Sequence, residues 1–339
     1  MGDIISVQDL VEVYADGTRA VDGISFNVDE GQFFGFLGPN GAGKSTTIKI
    51  LTTLLRKTSG SATVAGFDID KHPDAIRKLI GVENQETVVE SDLTGRENLV
   101  LQGHFQHLNG EALEQRVNEL LKLVDLTDVA GKRAGHYSGG MKKRLDLASA
   151  LVHSPKLLFL DEPTTGLDPQ SRAAIWEYLD RLNREEGITI FLTTQYMEEA
   201  DKLCRQLAII DHGKIVSKGS PAELKSKVGA DTIKLSLDSG TGDARDQLNA
   251  RAKEILTNIQ GVTNVITSEE GPTVYAKNAG LIIADIVRAF DSNKIRLASV
   301  SFSSPTLDDI FLQQTGRRIR TEDVSKANAP PTMFGRRRR

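Results

Sequence analysis

The stretch 38–46, GPNGAGKST, constrains this chain more than any other. It fits G-x-x-x-x-G-K-[ST], with Gly38 and Gly43 as the framing glycines. Glycines let backbone N–H groups converge on phosphate oxygens where a Cβ would block the approach. Lys44 adds a compact positive charge for the β- and γ-phosphates, and the Ser45 hydroxyl suits Mg²⁺. The flanks agree. GQFFGFL at 31–37 predicts a short buried strand, and STTIKILTTLL at 45–55 a helix whose N-terminus faces the anion. Gly38, Pro39, Asn40, Gly41, Ala42, Gly43, Lys44, Ser45 and Thr46 are therefore candidates for binding a nucleoside triphosphate.

The chain has 339 residues, enough for two domains with separate cores. Its longest apolar runs, such as KLLFL at 156–160, are far too short to span a bilayer. Asp3, Gln8 and Asp9 interrupt any apolar opening run, so the N-terminus does not read as a signal peptide. The single cysteine, Cys204, rules out an internal disulfide and reads as a small buried hydrophobe. The net charge of −4 is uneven. Residues 317–339 carry eight Arg or Lys against Glu322 and Asp323, a tail of +6 on a body of −10. Such a body argues against a general nucleic-acid binder. The tail reads as disordered, either simply solvated or drawn to anionic lipid.

Residues 1–230 alternate strand and helix patterns, as a parallel α/β sheet covered by helices does. IISVQDLVEVY (4–14) and AVDGISFNV (20–28) instead alternate apolar with polar residues, predicting half-exposed antiparallel strands. Residues from about 88 to 155 are mostly helical in pattern, with ALEQRVNELLKLVDL (112–126) strongly amphipathic. Residues 231–316 predict a separate α+β unit in the order β-α-β-β-α-β, which suggests a ferredoxin-like sandwich. Its last helix is expected after Ser304 as N-cap, with Gly316 as the stop.

KLLFLDEP at 156–163 places Asp161 and Glu162 at the end of a buried strand. Alternation along the strand predicts that the two carboxylates diverge, one toward Mg²⁺ through water and one toward an attacking water. In YSGGMKKRLDLASALVH (137–153), Ser138, Gly139 and Gly140 precede a helical run and form a second phosphate-type N-terminus. One nucleotide needs only one such loop within a subunit, so the second reads as serving a neighbouring molecule's nucleotide. Without the other motifs, an ordinary glycine-rich helix cap would explain it equally well.

Together these segments resemble the ATP-binding subunit of an ABC transporter across residues 1–220. GPNGAGKST resembles the Walker A motif, YSGGM the signature, LLFLDEP Walker B and GLD (166–168) the D-loop. The resemblance implies that Tyr14 stacks on adenine, that Asp168 belongs to the dimer-facing loop, and that Gln85 contacts Mg²⁺ and a membrane partner. DLTGRENL (92–99), YSGGMKKRLDLA and SPTLDDIFLQQTG are similar to drug-exporter subunits of the daunorubicin-resistance type. That similarity implies separate ABC-2 class permease subunits and a place at the cytoplasmic face of the membrane.

One position departs from the wider family: Gln195 in TTQYMEEAD stands where most ABC ATPases place a switch histidine. Gln donates and accepts hydrogen bonds but does not titrate near neutral pH. The drug-exporter group shares this Gln, so an active enzyme is expected. The implied cycle closes two copies head to tail on two ATP molecules. Glu162 acts as base or water-positioning group, Lys44 and Gln195 act at the γ-phosphate, and Ser45, Gln85 and Asp161 hold Mg²⁺. Rival readings are an importer ATPase, a soluble mechanical ABC ATPase in repair or translation, and a non-hydrolysing regulator. One cassette, no heptad insertion and one cysteine count against the mechanical type.

Overall fold

The computed structural model describes residues 2–83, 88–228, 231–237, 243–268, 271–276, 279–303 and 305–316. Gln85, Ser304 and the basic tail lie outside the described residues. Long strands β1 (Asp3–Val13) and β2 (Arg19–Asp29) pair antiparallel. Buried β3 (Phe33–Leu37) leads through the 38–43 loop into α1 (Lys44–Leu51). The chain continues through β4 (Ser59–Val64), β5 (Phe67–Asp68) and α2 (Pro73–Arg77) to β6 (Ile80–Glu83). Helices α3 (Gly95–Phe105), α4 (Gly110–Leu123) and α5 (Gly139–Ala150) follow. Then come β7 (Leu157–Asp161), α6 (Pro169–Glu185), β8 (Thr189–Thr194) and α7 (Met197–Leu203). β9 (Gln206–Asp211), β10 (Lys214–Gly219) and α8 (Pro221–Val228) complete this part.

Two sheets build it. The half-exposed strands form an antiparallel sheet in the order β2-β1-β4-β5. The second sheet runs β10-β9-β3-β8-β7-β6, parallel from β9 to β6, with β10 an antiparallel edge. Every residue of β3, β7 and β8 is buried, which explains their continuous apolar runs. Five phenylalanines lock the sheets together. Phe191 lies 5.4 to 5.9 Å, centroid to centroid, from Phe26, Phe34, Phe36 and Phe159. Because β3, β8 and β7 are neighbours, their C-terminal ends bring the 38–43 loop, Gln195 and the Asp161–Glu162 pair to one edge.

The remainder follows the expected order: β11 (Asp231–Leu237), α9 (Asp243–Thr257), β12 (Val262–Ser268), β13 (Gly271–Ala276), α10 (Ala279–Ser292) and β14 (Leu297–Ser303). Its sheet order, β12-β13-β11-β14, is antiparallel throughout. That is the ferredoxin-like arrangement, with the first strand between the third and fourth. One face is filled by Ile233, Leu235, Leu256, Ile286 and Phe290. Helix α11 (Leu307–Thr315) meets the other part of the protein. Phe311, Ile310 and Leu307 are buried in the same core cluster as Leu203, Leu224 and Tyr275. The Tyr275 hydroxyl donates to the Asp309 carbonyl at 3.3 Å.

The cap of α11 differs from expectation. Thr306 is the N-cap, with a reciprocal capping box to Asp309, and Gly316 ends the helix at φ 74°. Ser304 precedes Leu307 by three residues and so has no acid with which to form that box.

Candidate nucleotide site

The 38–43 loop closes against the sheet at positions that admit no side chain. A Cβ on Gly38 would lie 2.3 Å from the Ile210 carbonyl oxygen. A Cβ on Gly43, whose φ is +106°, would lie 2.3 Å from that of Ala20. Gly41, at φ +78°, faces open space instead. The loop is thus pressed inward at both ends and open between, as a phosphate cradle requires.

Lys44 is buried, and its ammonium is held by three oxygens. It donates to the Gly38 carbonyl at 2.7 Å and the Pro39 carbonyl at 3.0 Å, and pairs with Glu162 Oε1 at 3.0 Å. Asp161 is buried at the end of β7 and accepts from Thr193 Oγ1 at 2.5 Å. Glu162 leaves the strand in a left-handed conformation, φ 54°. The two carboxylates therefore diverge because of a turn at Glu162, where strand alternation was expected to separate them. Left-handed φ is unusual for glutamate and costs on the order of 1 kcal/mol or more. The turn is fastened by Thr165, whose N–H donates to the Glu162 carbonyl at 3.1 Å and whose hydroxyl donates to Oε2 at 3.2 Å.

Gln195 follows β8 directly and is buried, and its Oε1 has no hydrogen-bond partner among the described residues. A buried acceptor left open at the end of β8, between the strands that lead to Lys44 and Glu162, favours a donor-bearing ligand or water. Tyr14 is 38% exposed, and its hydroxyl lies 3.1 Å from Thr46 Oγ1, tying the aromatic to the phosphate loop. Ser45 and Thr46, by contrast with Lys44, are half-buried at the start of α1.

Ser138 and Gly139 are exposed at the start of α5, and Ser138 Oγ accepts from the Met141 N–H at 3.3 Å. A Cβ on Gly140 would lie 2.7 Å from Ser171 Oγ. Ser171 in turn donates to Asp168, the N-cap of α6, at 2.9 Å from its N–H and 2.6 Å from its hydroxyl. These bonds hold the Asp168 carboxyl below its ordinary range. The glycine step and the 166–168 turn are therefore one surface.

Other groups here were not singled out from sequence. Glu83, at the end of β6, pairs with Lys143 of α5, and burial pushes its carboxyl up to about 8. Burial likewise pushes Asp146 up to about 6. The visible signal was polar residues in apolar settings: Glu83 closing a strand, and Lys143 and Asp146 on the inner face of a helix.

The donor set suits ATP with Mg²⁺. Ser45 and Asp161 offer hard oxygens, and Mg²⁺ takes few protein ligands beside phosphates and water. Residues 21–165 match the ABC transporter family model, and residues 219–315 match the C-terminal domain of DrrA1-3-like ATP-binding proteins. The daunorubicin/doxorubicin resistance ATP-binding protein DrrA of Streptomyces peucetius is 41% identical over 318 residues, covering 92% of each chain. This chain belongs to the ATP-binding proteins of ABC transporters. It binds and hydrolyses ATP. The linearmycin resistance ATP-binding protein LnrL of Bacillus subtilis is 37% identical and covers 94% of this ABC protein and 100% of the relative. Among solved structures, cbiO1 of Clostridium perfringens, part of a cbiONQ ABC transporter complex, matches with TM-score 0.63 at 30% identity. It covers 67% of this chain and 92% of its own. The cassette MJ0796, in a dimeric structure bound to ADP and phosphate, matches with TM-score 0.58 at 26% identity, covering 64% of this chain and 98% of its own. No helix among the described residues is long and apolar enough to cross a membrane.

Proposed function

We propose that this ABC ATPase powers export of drug-like or other hydrophobic compounds through separate ABC-2 class permease subunits, docked at the cytoplasmic face of the membrane. The observation that carries the reading is the convergence of Lys44, Asp161, Glu162 and Gln195 on neighbouring strand ends. Likeness to proteins described as daunorubicin and linearmycin resistance ATP-binding proteins supports export over import.

Lys44 exchanges Glu162 for phosphate oxygens as ATP enters, which frees Glu162 to orient or deprotonate water. Gln195 offers its open Oε1 to the attacking water and its amide to the γ-phosphate. Tyr14 stacks on adenine. Ser45, Gln85 and, through water, Asp161 would hold Mg²⁺, which neutralises phosphate charge when bound. Ser138 and Gly139 are exposed and Gly140 is half-buried behind them, and a second copy turned head to tail would receive the three on its own nucleotide, with Asp168 at the seam. Residues 1–230 would form the cassette, with a helical subdomain from about 88 to 155, and 231–316 the accessory domain. The basic tail, 317–339, would be either solvated or drawn to anionic lipid.

The test is phosphate release and dimerisation in parallel. Wild type should hydrolyse ATP, while Glu162→Gln should bind ATP and accumulate as a closed dimer in light scattering. Turnover of Glu162→Gln at the wild-type rate would remove Glu162 from its role. Permease subunits co-purifying from membranes would identify the partner class.

A further inference from the structure

Glu199 is fully buried in the first turn of α7, four residues beyond Gln195. Its Oε1 accepts two hydrogen bonds, from Thr164 Oγ1 at 2.8 Å and from Trp176 Nε1 at 2.9 Å. The Thr194 hydroxyl also lies beside the carboxylate, and Arg172 contributes its charge. Each partner belongs to a segment already placed at the nucleotide edge. Thr164 stands in the turn that fastens Glu162. Trp176 is on α6, the helix capped by Asp168. Thr194 is the residue before Gln195 and accepts from the Tyr196 N–H at 2.9 Å. Arg172, also on α6, stacks over the Tyr196 ring at 4.5 Å.

A buried carboxylate is a costly way to fill space, because an apolar side chain of similar volume would pack there without desolvating a charge. What it supplies instead is direction. Two donors from different segments aim at one oxygen, so the turn behind Glu162 and the helix behind Asp168 share a fixed point on the helix behind Gln195. We propose that Glu199 is a positioning residue for hydrolysis, setting Glu162 and Gln195 in register with each other and with the Asp168 turn. The inference rests on the roles assigned above to Glu162 and Gln195. It predicts that Glu199 governs turnover far more than nucleotide binding, since neither Thr164 nor Trp176, the two donors it collects, belongs to the 38–46 loop or to Tyr14.

Glu199→Leu keeps volume but strips the shared acceptor from Thr164 and Trp176. Glu199→Gln keeps Oε1 as acceptor for both. The experiment uses the full chain and measures phosphate release at saturating ATP, ATP dissociation by fluorescence with a trinitrophenyl-ATP probe, and melting temperature. Glu199→Leu should lower kcat by about tenfold or more with the ATP Kd within about twofold of wild type, and Glu199→Gln should restore kcat to within about threefold. Trp176→Phe, which removes one donor and little volume, should fall between them, and it serves alone if Glu199→Leu does not fold. A folded Glu199→Leu with wild-type kcat overturns the proposal. So does a parallel loss of kcat and ATP affinity in Glu199→Leu and Glu199→Gln alike, and so does an unchanged Trp176→Phe. Glu162→Gln is the control. If it turns over normally, the underlying site assignment fails; if it stalls while Glu199→Leu does not, only the positioning role fails.

Discussion

Lys44 Nζ lies 3.0 Å from Glu162 Oε1, and both side chains are almost wholly buried. The cation that the phosphate loop presents is thus paired with the acid proposed as base. ATP entering the loop must compete with Glu162 for Lys44, so binding and release of the base are one event. Lys44→Ala should abolish measurable ATP binding and also leave Glu162 buried without its cation. Loss of one partner of a buried pair costs about 3–5 kcal/mol, so the variant's unfolding midpoint in urea should fall without nucleotide. Glu162→Gln should weaken the competitor and tighten ATP binding by about three- to tenfold even in dilute monomer. Equal ATP Kd values for wild type and Glu162→Gln would show that the ion pair offers no resistance to the nucleotide.

Gln195 has no titrating proton, so the rate of phosphate release should show no inflection near pH 6.5 that depends on residue 195. Gln195→His should introduce one, with the form active at low pH differing from that at high pH, and Gln195→Ala should lower kcat throughout. A wild-type inflection near pH 6.5 that vanished in Gln195→Ala would contradict a purely positional role for the amide.

Tyr14 reaches the phosphate loop through its hydroxyl, 3.1 Å from Thr46 Oγ1, while its ring stays partly exposed. Ring and hydroxyl should separate in mutagenesis. Tyr14→Ala should raise the ATP Kd by about tenfold through lost stacking, and Tyr14→Phe by no more than about threefold through an exposed hydrogen bond. Isothermal titration with both variants distinguishes the two contributions.

Asp146 faces Lys143 and, beyond it, Glu83, yet burial outweighs their balance and pushes its carboxyl up to about 6. An acid raised on folding takes up protons between its ordinary value and the folded one. Its contribution to stability is therefore full below about pH 4, and it is lost as pH rises through about 6. Asp146→Asn removes that loss. The unfolding free energy of the variant relative to wild type should rise across the window by about 3 kcal/mol and then level off. Urea titrations at several pH values measure it. A difference that stays flat would mean that Lys143 fully compensates the ionised form.

What was legible in the sequence was chemistry confined to one segment. GPNGAGKST, LLFLDEP and the SGG step each carry their own local requirement for glycine or acid, so each could be placed before any contact was known. The ferredoxin-like order was legible too, because strand and helix periodicities alternate cleanly from 231 to 303. Contacts between distant segments were not. Nothing near Lys44 announces Glu162 as its partner, and nothing near Gln195 announces that Glu199 collects donors from Thr164 and Trp176. The alternation argument stopped short at Glu162, because the chain leaves the strand there at φ 54°, in a turn bonded by Thr165. The α11 cap was readable after all: T-x-x-D at Thr306 to Asp309 is the box, and Ser304 lacks the acid three residues on.

Helix α11 joins the 231–316 unit to the rest of the chain, packing against α7 and α8. Thr232 donates from β11 to Asp309 Oδ2 at 3.2 Å, and the same carboxylate accepts from the Thr306 N–H and hydroxyl. Phe311, two residues on from Asp309 and so on the opposite side of α11, is fully buried in the core cluster that holds Leu203 and Leu224. Helix α11 is therefore a rivet, polar on the accessory side and apolar on the cassette side. Phe311→Ala should cost about 3–5 kcal/mol, the usual penalty for emptying an aromatic site. That loss falls on the junction and leaves the ferredoxin-like core intact, because Phe290 and Ile286 belong to a separate cluster. Calorimetry should then show two transitions in the variant where wild type shows one, with the ATP Kd unchanged. A single transition shifted downward as a whole would show instead that α11 is part of one cooperative core.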